Sequence, residues 1–297
     1  MPYILLILTT LFWSGNFVLS KAMHGDIPPL ALSYWRWLVA LLILSFFGLR
    51  HLLSQKQLIL QHYRYLILQG LLGVTGFNTL VYLAMQTTTA INAVLVNSCI
   101  PVIIVIASWL LYQEKLSVRQ CCGVCISLSG VLLIISQGNP QILLQLQFNR
   151  GDVLVFLAAV CWALYSANLK RFPRGLHPLA YQTAIVIPGL VALTPLYILE
   201  IAGGKTFAIT AATVGTIFYV AIFASVLAFI FWNRAVSILG ANRAGPFIHL
   251  MPVFSTILAV IFLNETLTAN HLRAVLLIFG GILLTTYTPR KRQRTAP

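Results

Sequence analysis

A long internal repeat constrains the fold of this chain more than any other feature. When the sequence is moved forward by 151 positions, residues 90–135 align with residues 241–286, and 11 of the 46 positions are identical without a gap. Pro101 aligns with Pro252. Each copy reads as an apolar helix, a short polar loop that contains a glutamate, and a second apolar helix. A repeat of this length predicts a fold made of two equivalent halves.

The composition indicates that both halves lie in a lipid bilayer. Of the 297 residues, 59% are hydrophobic and 8% are charged, whereas soluble domains carry about 25% charged residues. A helix that spans a bilayer needs about 20 residues. A chain of 297 residues with short loops therefore has room for about ten such helices, and we predict an all-α integral membrane protein.

Apolar runs separated by short polar segments mark the ten expected helices. Their expected bounds are 3–22, 29–48, 65–86, 90–111, 118–136, 151–170, 178–199, 212–233, 241–263 and 270–287. Ser117 and Gln120 have the spacing of a capping box at the start of the fifth helix. The longest connection, 137–150, separates the halves. We therefore expect a first five-helix repeat over 1–139 and a second one, with a basic cytoplasmic tail, over 140–297.

The repeat also includes the first helix of each half. At an offset of 149, Trp13 aligns with Trp162 and Lys21 aligns with Lys170. Because five is an odd number of helices, the second half must enter the membrane from the side opposite to the first. The prediction is thus ten transmembrane helices arranged as two inverted five-helix repeats, which are related by a twofold axis in the membrane plane.

The charges in the loops predict the orientation. With the N-terminus inside, 14 of the 19 lysines and arginines lie in inside segments and 4 in outside segments, while Arg36 lies within the second helix. By the positive-inside rule, this bias predicts that both the N-terminus and the C-terminus are cytoplasmic. The bias also accounts for the net charge of +14, so we expect no binding to nucleic acid.

Several of these features together resemble the EamA-type branch of the drug/metabolite transporter superfamily. They are the early tryptophan in FWSGNFVLSK, the prolines Pro101 and Pro252 in the fourth and ninth helices, and a Glu-x-Leu loop after each of those helices. The resemblance covers nearly the whole chain. It implies a secondary transporter, often an exporter of amino acids or other small metabolites, with a central cavity lined by helices from both halves.

Polar and aromatic side chains deep within the predicted helices are the candidates for lining that cavity, since polar groups are costly in hydrocarbon. The candidate substrate-binding residues are Trp13, Asn16, Arg36, Asn78, Tyr82, Asn97, Trp162, Tyr165, Asn233 and His249. Asn97 and His249 each lie about one turn before a proline. We interpret these prolines, Pro101 and Pro252, as hinges of the fourth and ninth helices.

Each candidate also has a simpler structural interpretation. An asparagine in a membrane often hydrogen-bonds to a neighbouring helix, and tryptophan and tyrosine often form the aromatic belt at the interface. Arg36 either extends to the outer interface or pairs with a carboxylate of the substrate. His249 either packs between helices or carries a proton, because histidine ordinarily titrates near neutral pH.

The sequence indicates no site for catalysis, a cofactor or a metal. The five aspartates and glutamates lie at helix ends or in loops, and the five cysteines lie in apolar segments. Cys122 and Cys125 form a CxxC without a second pair or a nearby histidine. Motifs of phosphate-binding loops, dinucleotide-binding turns and zinc proteases are absent from the sequence. We therefore expect a protein that is not an enzyme.

The expected function is the export of amino acids or similar small amphipathic metabolites by alternating access. We expect a multi-pass protein of the cell membrane, in a bacterium the inner membrane, with a small-molecule substrate and bilayer lipids as partners. The oligomeric state stays open. So do two alternatives: a non-transporting assembly partner or receptor, and a carrier of nucleotide sugars or phosphorylated metabolites. Such a carrier would need two or more basic residues facing the cavity, and Arg36 is the one basic residue well inside a span.

Overall fold

The computed structural model contains helices and no strands in the residues that it describes, which are 1–88, 90–145, 149–263 and 269–286. Nine helices in these ranges are long and apolar enough to cross a bilayer. The predicted all-α membrane fold is thereby confirmed. The basic tail, which was predicted at the C-terminus, lies outside the described residues, and the orientation in the membrane stays a prediction.

The helical segments follow the expected order, and most of their bounds agree with the sequence prediction to within a few residues. They are α1 (Pro2–Ala22), α2 (Pro29–Ser54), α3 (Tyr63–Ala84), α4 (Ala90–Asn97 and Ile100–Tyr112), α5 (Val118–Ser136), α6 (Arg150–Asn168), α7 (Pro178–Ala202), α8 (Ala211–Leu239), α9 (241–263) and α10 (Ala269–Thr286). Two short helices, Lys56–Gln61 and Pro140–Leu144, lie in the connections. The capping box of Ser117 and Gln120 is present at the start of α5.

The segment α9 consists of three pieces. A short α-helix, Ala241–Ala244, leads into a 3-10 turn, Gly245–His249, and then into a longer α-helix, Leu250–Leu263. None of these pieces alone is long enough to span a bilayer. The described part of the chain contains nine helices of membrane-spanning length and composition, and the expected count of ten stays a prediction.

The repeat-equivalent segment α4 is interrupted as well. Its two helices are separated by residues 98 and 99, and the second helix begins with Ile100 and Pro101. A proline lacks the N–H that would bond to the preceding turn. The interruptions of α4 and α9 therefore expose backbone carbonyl groups in the interior of the bundle, where other groups of the protein must act as their donors.

The segments α3 and α8 each contain a π-helical turn, at Gly70–Gly76 and Val220–Leu227. The two turns are about one repeat length apart, so the repeat includes them. Polar side chains bond to carbonyl groups within these turns: Asn78 Nδ2 donates to Gly73 and Ser225 Oγ donates to Val220, both at 2.9 Å. Turns of this kind are often found at functional sites.

Contacts between repeat-equivalent residues locate the twofold axis. Trp13 and Trp162 pack edge to face with their ring centroids 4.9 Å apart. A hydrogen bond of 2.9 Å joins His249 Nε2 to the carbonyl oxygen of Ser98, which is the residue 151 positions earlier. Equivalent residues meet where the axis passes between the halves. The axis therefore runs close to both contacts.

Near the same axis, α5 and α10 cross at glycines. A Cβ atom on Gly281 would lie 2.5 Å from the backbone nitrogen of Ser127 and closer still to the carbonyl oxygen of Gly123. A Cβ atom on Gly130 would lie 2.8 Å from the side chain of Ile278. Small residues at such crossings let two backbones touch, and close packing of this kind drives helix association in lipid.

Packing between the halves is also visible where α2 and α7 meet. At one end, the Glu200 carboxylate accepts hydrogen bonds from the backbone N–H groups of Leu30 and Ala31. These groups lie in the first turn of α2, where an N–H has no partner within the helix. At the other end, the rings of His51 and His177 stack with centroids 3.7 Å apart. Burial, with a smaller contribution from His51, lowers the pKa of His177 and favours its uncharged form, which is compatible with stacking.

The crossing of α5 and α10 generates a stability prediction with a matched control one residue away. We expect Gly281→Ala to push the two helices apart and to destabilise the protein by about 1–3 kcal/mol, as overpacking does. The added Cβ of Gly280→Ala meets nothing within 4 Å, so that variant should unfold at or above the wild-type temperature. Thermal unfolding in detergent checks both. Equal unfolding temperatures for the two variants would contradict the close contact of α5 and α10 at Gly281.

Candidate functional site

The middle of the bundle is filled by buried aromatic rings, which we call the aromatic core: Trp13, Trp37, Trp162, Phe229 and Trp232. The ring of Trp162 lies 4.9 Å from Trp13, 5.3 Å from Phe229 and 5.6 Å from Trp232. The indole N–H of Trp13 donates to the carbonyl oxygen of Ala224, within the π-helical turn of α8, at 3.1 Å. In this conformation, the two tryptophans at the axis contact each other and other rings.

Beside the aromatic core, Arg36 is held by polar groups from both halves. Its Nε donates to Ser225 Oγ at 2.8 Å, and its Nη1 donates to Asn78 Oδ1 at 2.9 Å and to the Tyr82 hydroxyl. The Tyr82 hydroxyl then donates to Asn16 Oδ1 at 2.9 Å. We call these five residues the arginine cluster. Because Ser225 belongs to the second half, the cluster joins the two halves.

The charge of Arg36 is not balanced by a carboxylate in the described part of the chain. The side chain is only 1% exposed, and every partner named above is an uncharged oxygen. A guanidinium group has five N–H donors. Among the described residues, no hydrogen bond is found for its Nη2. A buried charge without a counter-ion is costly, so this nitrogen is suited to an anionic group that comes from outside the protein.

A second polar cluster contains Tyr165 and Asn233, the repeat equivalents of Asn16 and Tyr82, and we call it the glutamine cluster. The Tyr165 hydroxyl donates to Asn233 Oδ1 at 2.8 Å, and Asn233 Nδ2 donates to Gln182 Oε1 at 3.1 Å. Gln69 Nε2 donates to the Tyr181 hydroxyl at 3.0 Å. All five side chains are buried, and all are uncharged amides or phenols.

Each cluster contains a tyrosine–asparagine hydrogen bond at equivalent positions of the repeat. The tyrosine and the asparagine have exchanged positions between the two halves. Tyr82 stands 151 positions before Asn233, and Asn16 stands 149 positions before Tyr165, which are the offsets seen in the sequence. The Tyr82–Asn16 bond in the first half thus corresponds to the Tyr165–Asn233 bond in the second. The charge is not conserved, since Ile185 stands at the position equivalent to Arg36.

His249 links α9 to both α4 and α5. Its Nε2 donates to the carbonyl oxygen of Ser98 in the interruption of α4, and its Nδ1 lies 2.8 Å from Ser127 Oγ. The single hydrogen of the Ser127 hydroxyl can point either to Nδ1 or to the carbonyl oxygen of Val124, which is 3.0 Å away. In the second case, Nδ1 must carry a proton of its own to keep its bond. The hydrogen bonds of the site therefore fit either protonation state of the imidazole, while burial of the ring favours the neutral form.

Asn97 lies next to this link and lines a small cavity between α1, α4 and α9. The cavity also contains Ser98, Met251 and Pro252, and its volume of about 20 Å³ is enough for about one water molecule. Asn97 is buried, and its Oδ1 has no hydrogen-bond partner in the described part of the chain. A substrate would need the surrounding helices to move apart before it could occupy this position.

The candidates from the sequence are thus distributed over neighbouring sites rather than lining one open pocket. The aromatic core contains Trp13 and Trp162. The arginine cluster contains Asn16, Arg36, Asn78 and Tyr82. The glutamine cluster contains Tyr165 and Asn233. Asn97 and His249 lie at the axis beside the interruptions of α4 and α9, near the proposed hinges Pro101 and Pro252. Whether these residues contact a substrate stays a prediction.

Sequence reasoning missed several members of these sites. Gln69 and Gln182 are buried amides within membrane spans, and this polarity is a signal that could have identified them. Ser225 and Ser127 had no such signal, because a serine in an apolar helix usually bonds to the preceding turn of its own helix. Their roles depend on which helix lies opposite them.

The bond between Ser127 and His249 generates a prediction. Ser127→Ala leaves a buried ring nitrogen unpaired, so we expect a loss of about 1–3 kcal/mol in stability. The control is Ser129→Ala, because Ser129 is exposed and bonds only within its own helix. Its effect should stay within about 0.5 kcal/mol. Thermal unfolding of both purified variants is the measurement, and an equal effect of the two substitutions would refute the assigned bond.

Comparison with known proteins identifies the family. The model of the EamA-like transporter family matches residues 1–136 and again residues 149–287. The chain is 28% identical over 279 residues to the uncharacterized transporter YyaM of Bacillus subtilis (strain 168), a match that covers 94% of this chain and 91% of that protein. It is 29% identical over 289 residues to an uncharacterized transporter of Archaeoglobus fulgidus, with 96% of each covered.

A solved structure shares the fold. A crystal structure that is 20% identical in sequence superposes with a TM-score of 0.79 and covers 96% of both chains. The two matches to the family model, one in each half, agree with the repeat seen in the sequence. The chain is a multi-pass membrane transporter and not an enzyme, and it belongs to the EamA-like transporter family.

Proposed function

We propose that this protein exports amino acids, or similarly small amphipathic metabolites that carry a carboxylate, across the cell membrane by alternating access. The observation that supports the proposal most directly is the buried, unbalanced charge of Arg36 with Nη2 unoccupied. A substrate carboxylate would supply the missing negative charge and form a charge-assisted hydrogen bond there. The aromatic core beside it would accept an apolar side chain.

The described conformation corresponds to a closed state in this proposal. The rings of Trp13 and Trp162 touch, and the cavity beside Asn97 has room for about one water molecule. Rocking of the two halves about the twofold axis would separate these contacts and open the site to one side. The interruptions before Pro101 and Pro252 are suited to act as hinges, because the helical bonding is already broken there.

A carrier of phosphorylated metabolites is the rival proposal within transport. Two or more basic groups at the central site would favour it, since a phosphate carries more than one charge. The arginine cluster contains one guanidinium, and the glutamine cluster contains uncharged groups. This arrangement favours a substrate with a single carboxylate.

His249 is the proposed proton carrier, if transport is driven by protons. The two arrangements of the Ser127 hydroxyl allow the ring to hold one proton or two without loss of its bond to the Ser98 carbonyl. The bond to Ser98 also crosses between the halves. Gain or loss of the second proton would therefore act on the contact that must change during rocking.

Flux through liposomes tests the role of Arg36. A thermal-shift screen of the purified protein against amino acids, amines, nucleosides and sugar phosphates first selects a substrate. We then expect Arg36→Gln to lower its transport about tenfold or more, because a charge-assisted bond is lost. Arg36→Lys should retain part of the activity, since it keeps the charge but not the forked geometry.

The control variant for this assay is Arg50→Gln, because Arg50 is exposed at the end of α2 and should leave transport unchanged. Each variant is first checked for a single gel-filtration peak and a cooperative unfolding transition. Well-folded Arg36→Gln with wild-type flux for a carboxylate substrate would refute the proposed role. Flux is also measured with and without an inward-acidic gradient, and gradient-driven accumulation that survives His249→Ala would remove His249 as the proton carrier.

The proposed orientation, with both termini cytoplasmic, has an independent test. A phosphatase that is active only in the periplasm is fused after Arg294 and, in a second protein, within residues 137–147. We expect activity from the second fusion and none from the first, because the loop between the halves should be outside. The opposite pattern would show that the orientation is reversed.

A further inference from the structure

A second polar cavity lies away from the central clusters, at the predicted cytoplasmic end of the bundle. Its volume is about 360 Å³. It is bordered by the ends of α4 and α6, the α6–α7 connection and the junction of α8 with α9. The polar side chains on its wall include Ser108, Glu114, Lys170 and Arg174, while Phe172 provides an apolar surface. The residues of the arginine cluster do not line it.

The helices α4 and α6 both end beside this cavity, and the residues that follow their ends place charged side chains on its wall. After Tyr112, Gln113 adopts a left-handed conformation with φ of 55°, which ends α4 and brings Glu114 back beside the bundle. A 3-10 turn, Leu169–Arg171, ends α6 and presents Lys170. Lys170 Nζ and Glu114 Oε1 form an ion pair of 2.7 Å. One of the two basic residues on the wall is therefore already balanced.

Two groups on the wall have no partner among the residues that the structure describes. Arg174 is exposed, and the part of the chain that the structure describes offers it no carboxylate. Ser108 is only 1% exposed, and its hydroxyl oxygen has no hydrogen-bond partner. A buried hydroxyl without a partner is unfavourable. A ligand that accepts hydrogen bonds in this cavity would find donors on both Ser108 and Arg174, which line it.

We propose that this cavity binds one anionic oxygen group, a phosphate or a carboxylate, between Arg174, Lys170 and Ser108. The guanidinium and ammonium groups supply charge-assisted donors, and the Ser108 hydroxyl supplies a neutral one. The group can come from a soluble anion in the cytoplasm or from the headgroup of an anionic lipid, since basic cavities at this depth face the headgroup region. The proposal does not depend on which substrate the central site carries.

Thermal unfolding with inorganic phosphate tests the soluble source. The purified full-length protein in an uncharged detergent is titrated with sodium phosphate, with sodium chloride of equal ionic strength as reference. We expect phosphate to raise the unfolding temperature of the wild type beyond the chloride reference. In Arg174→Gln, the phosphate concentration needed for half of that rise should increase about tenfold.

Two further variants make the first test specific. Arg50→Gln removes an exposed charge elsewhere at the same end and should respond to phosphate like the wild type. Ser108→Ala removes a hydroxyl that has no partner, so without phosphate it should unfold at or above the wild-type temperature. Its response to phosphate should nevertheless be weaker. A general loss of stability would not produce this combination.

Vesicles test the lipid source. The same proteins are reconstituted into phosphatidylcholine alone and into phosphatidylcholine with phosphatidylglycerol. A rise in unfolding temperature with phosphatidylglycerol that Arg174→Gln loses and Arg50→Gln keeps would assign the site to lipid headgroups. The same pattern with phosphate alone would assign it to a soluble anion. If Arg174→Gln and Ser108→Ala match Arg50→Gln in both arms, the cavity is not an anion site and the proposal is overturned.

Discussion

Hydrocarbon provides no hydrogen-bond partners, so each polar group inside this bundle depends on the protein itself or on a bound molecule. That constraint links the features of the interior. The interruption of α4 exposes the carbonyl of Ser98, which His249 satisfies. The π-helical turns of α3 and α8 accept bonds from Asn78 and Ser225. The arginine cluster follows the same rule except at Nη2 of Arg36, for which no hydrogen bond is found among the described residues.

The repeat places the same structural features in both halves of the bundle. The charged and titratable side chains of the interior occur where the two halves differ. Both halves contain an interrupted helix, a π-helical turn and a tyrosine–asparagine hydrogen bond. Arg36 in the first half faces no equivalent charge, because the second half has Ile185 there. His249 in the second half meets Ser98, its own equivalent, at the axis. Because the halves differ at these positions, they present different polar groups to the middle of the bundle.

Much of the fold could be predicted because membrane spans have a simple physical signature. The expected helix at 178–199 is observed as Pro178–Ala202, and the expected helix at 118–136 has the same bounds in the structure. The π-helical turns could not be predicted, since one extra residue in a turn leaves the apolar composition of a span unchanged. The sequence predicted a hinge of α9 at Pro252, which lies within the helix Leu250–Leu263, and did not predict the 3-10 turn Gly245–His249 that precedes it.

The sequence by itself determined the membrane class, the two halves, the positions of the spans and the set of buried polar residues, because hydrophobicity and repetition are properties of composition and order. Only the tertiary structure decided which of those residues meet. Tyr82 could have belonged to an interfacial belt, yet it bonds to Asn16 and Arg36. Ser225 joins them from the other half of the chain. These contacts depend on how each helix is rotated and which helix lies beside it. In lipid, where most helix faces are apolar, hydrophobic periodicity does not specify either one.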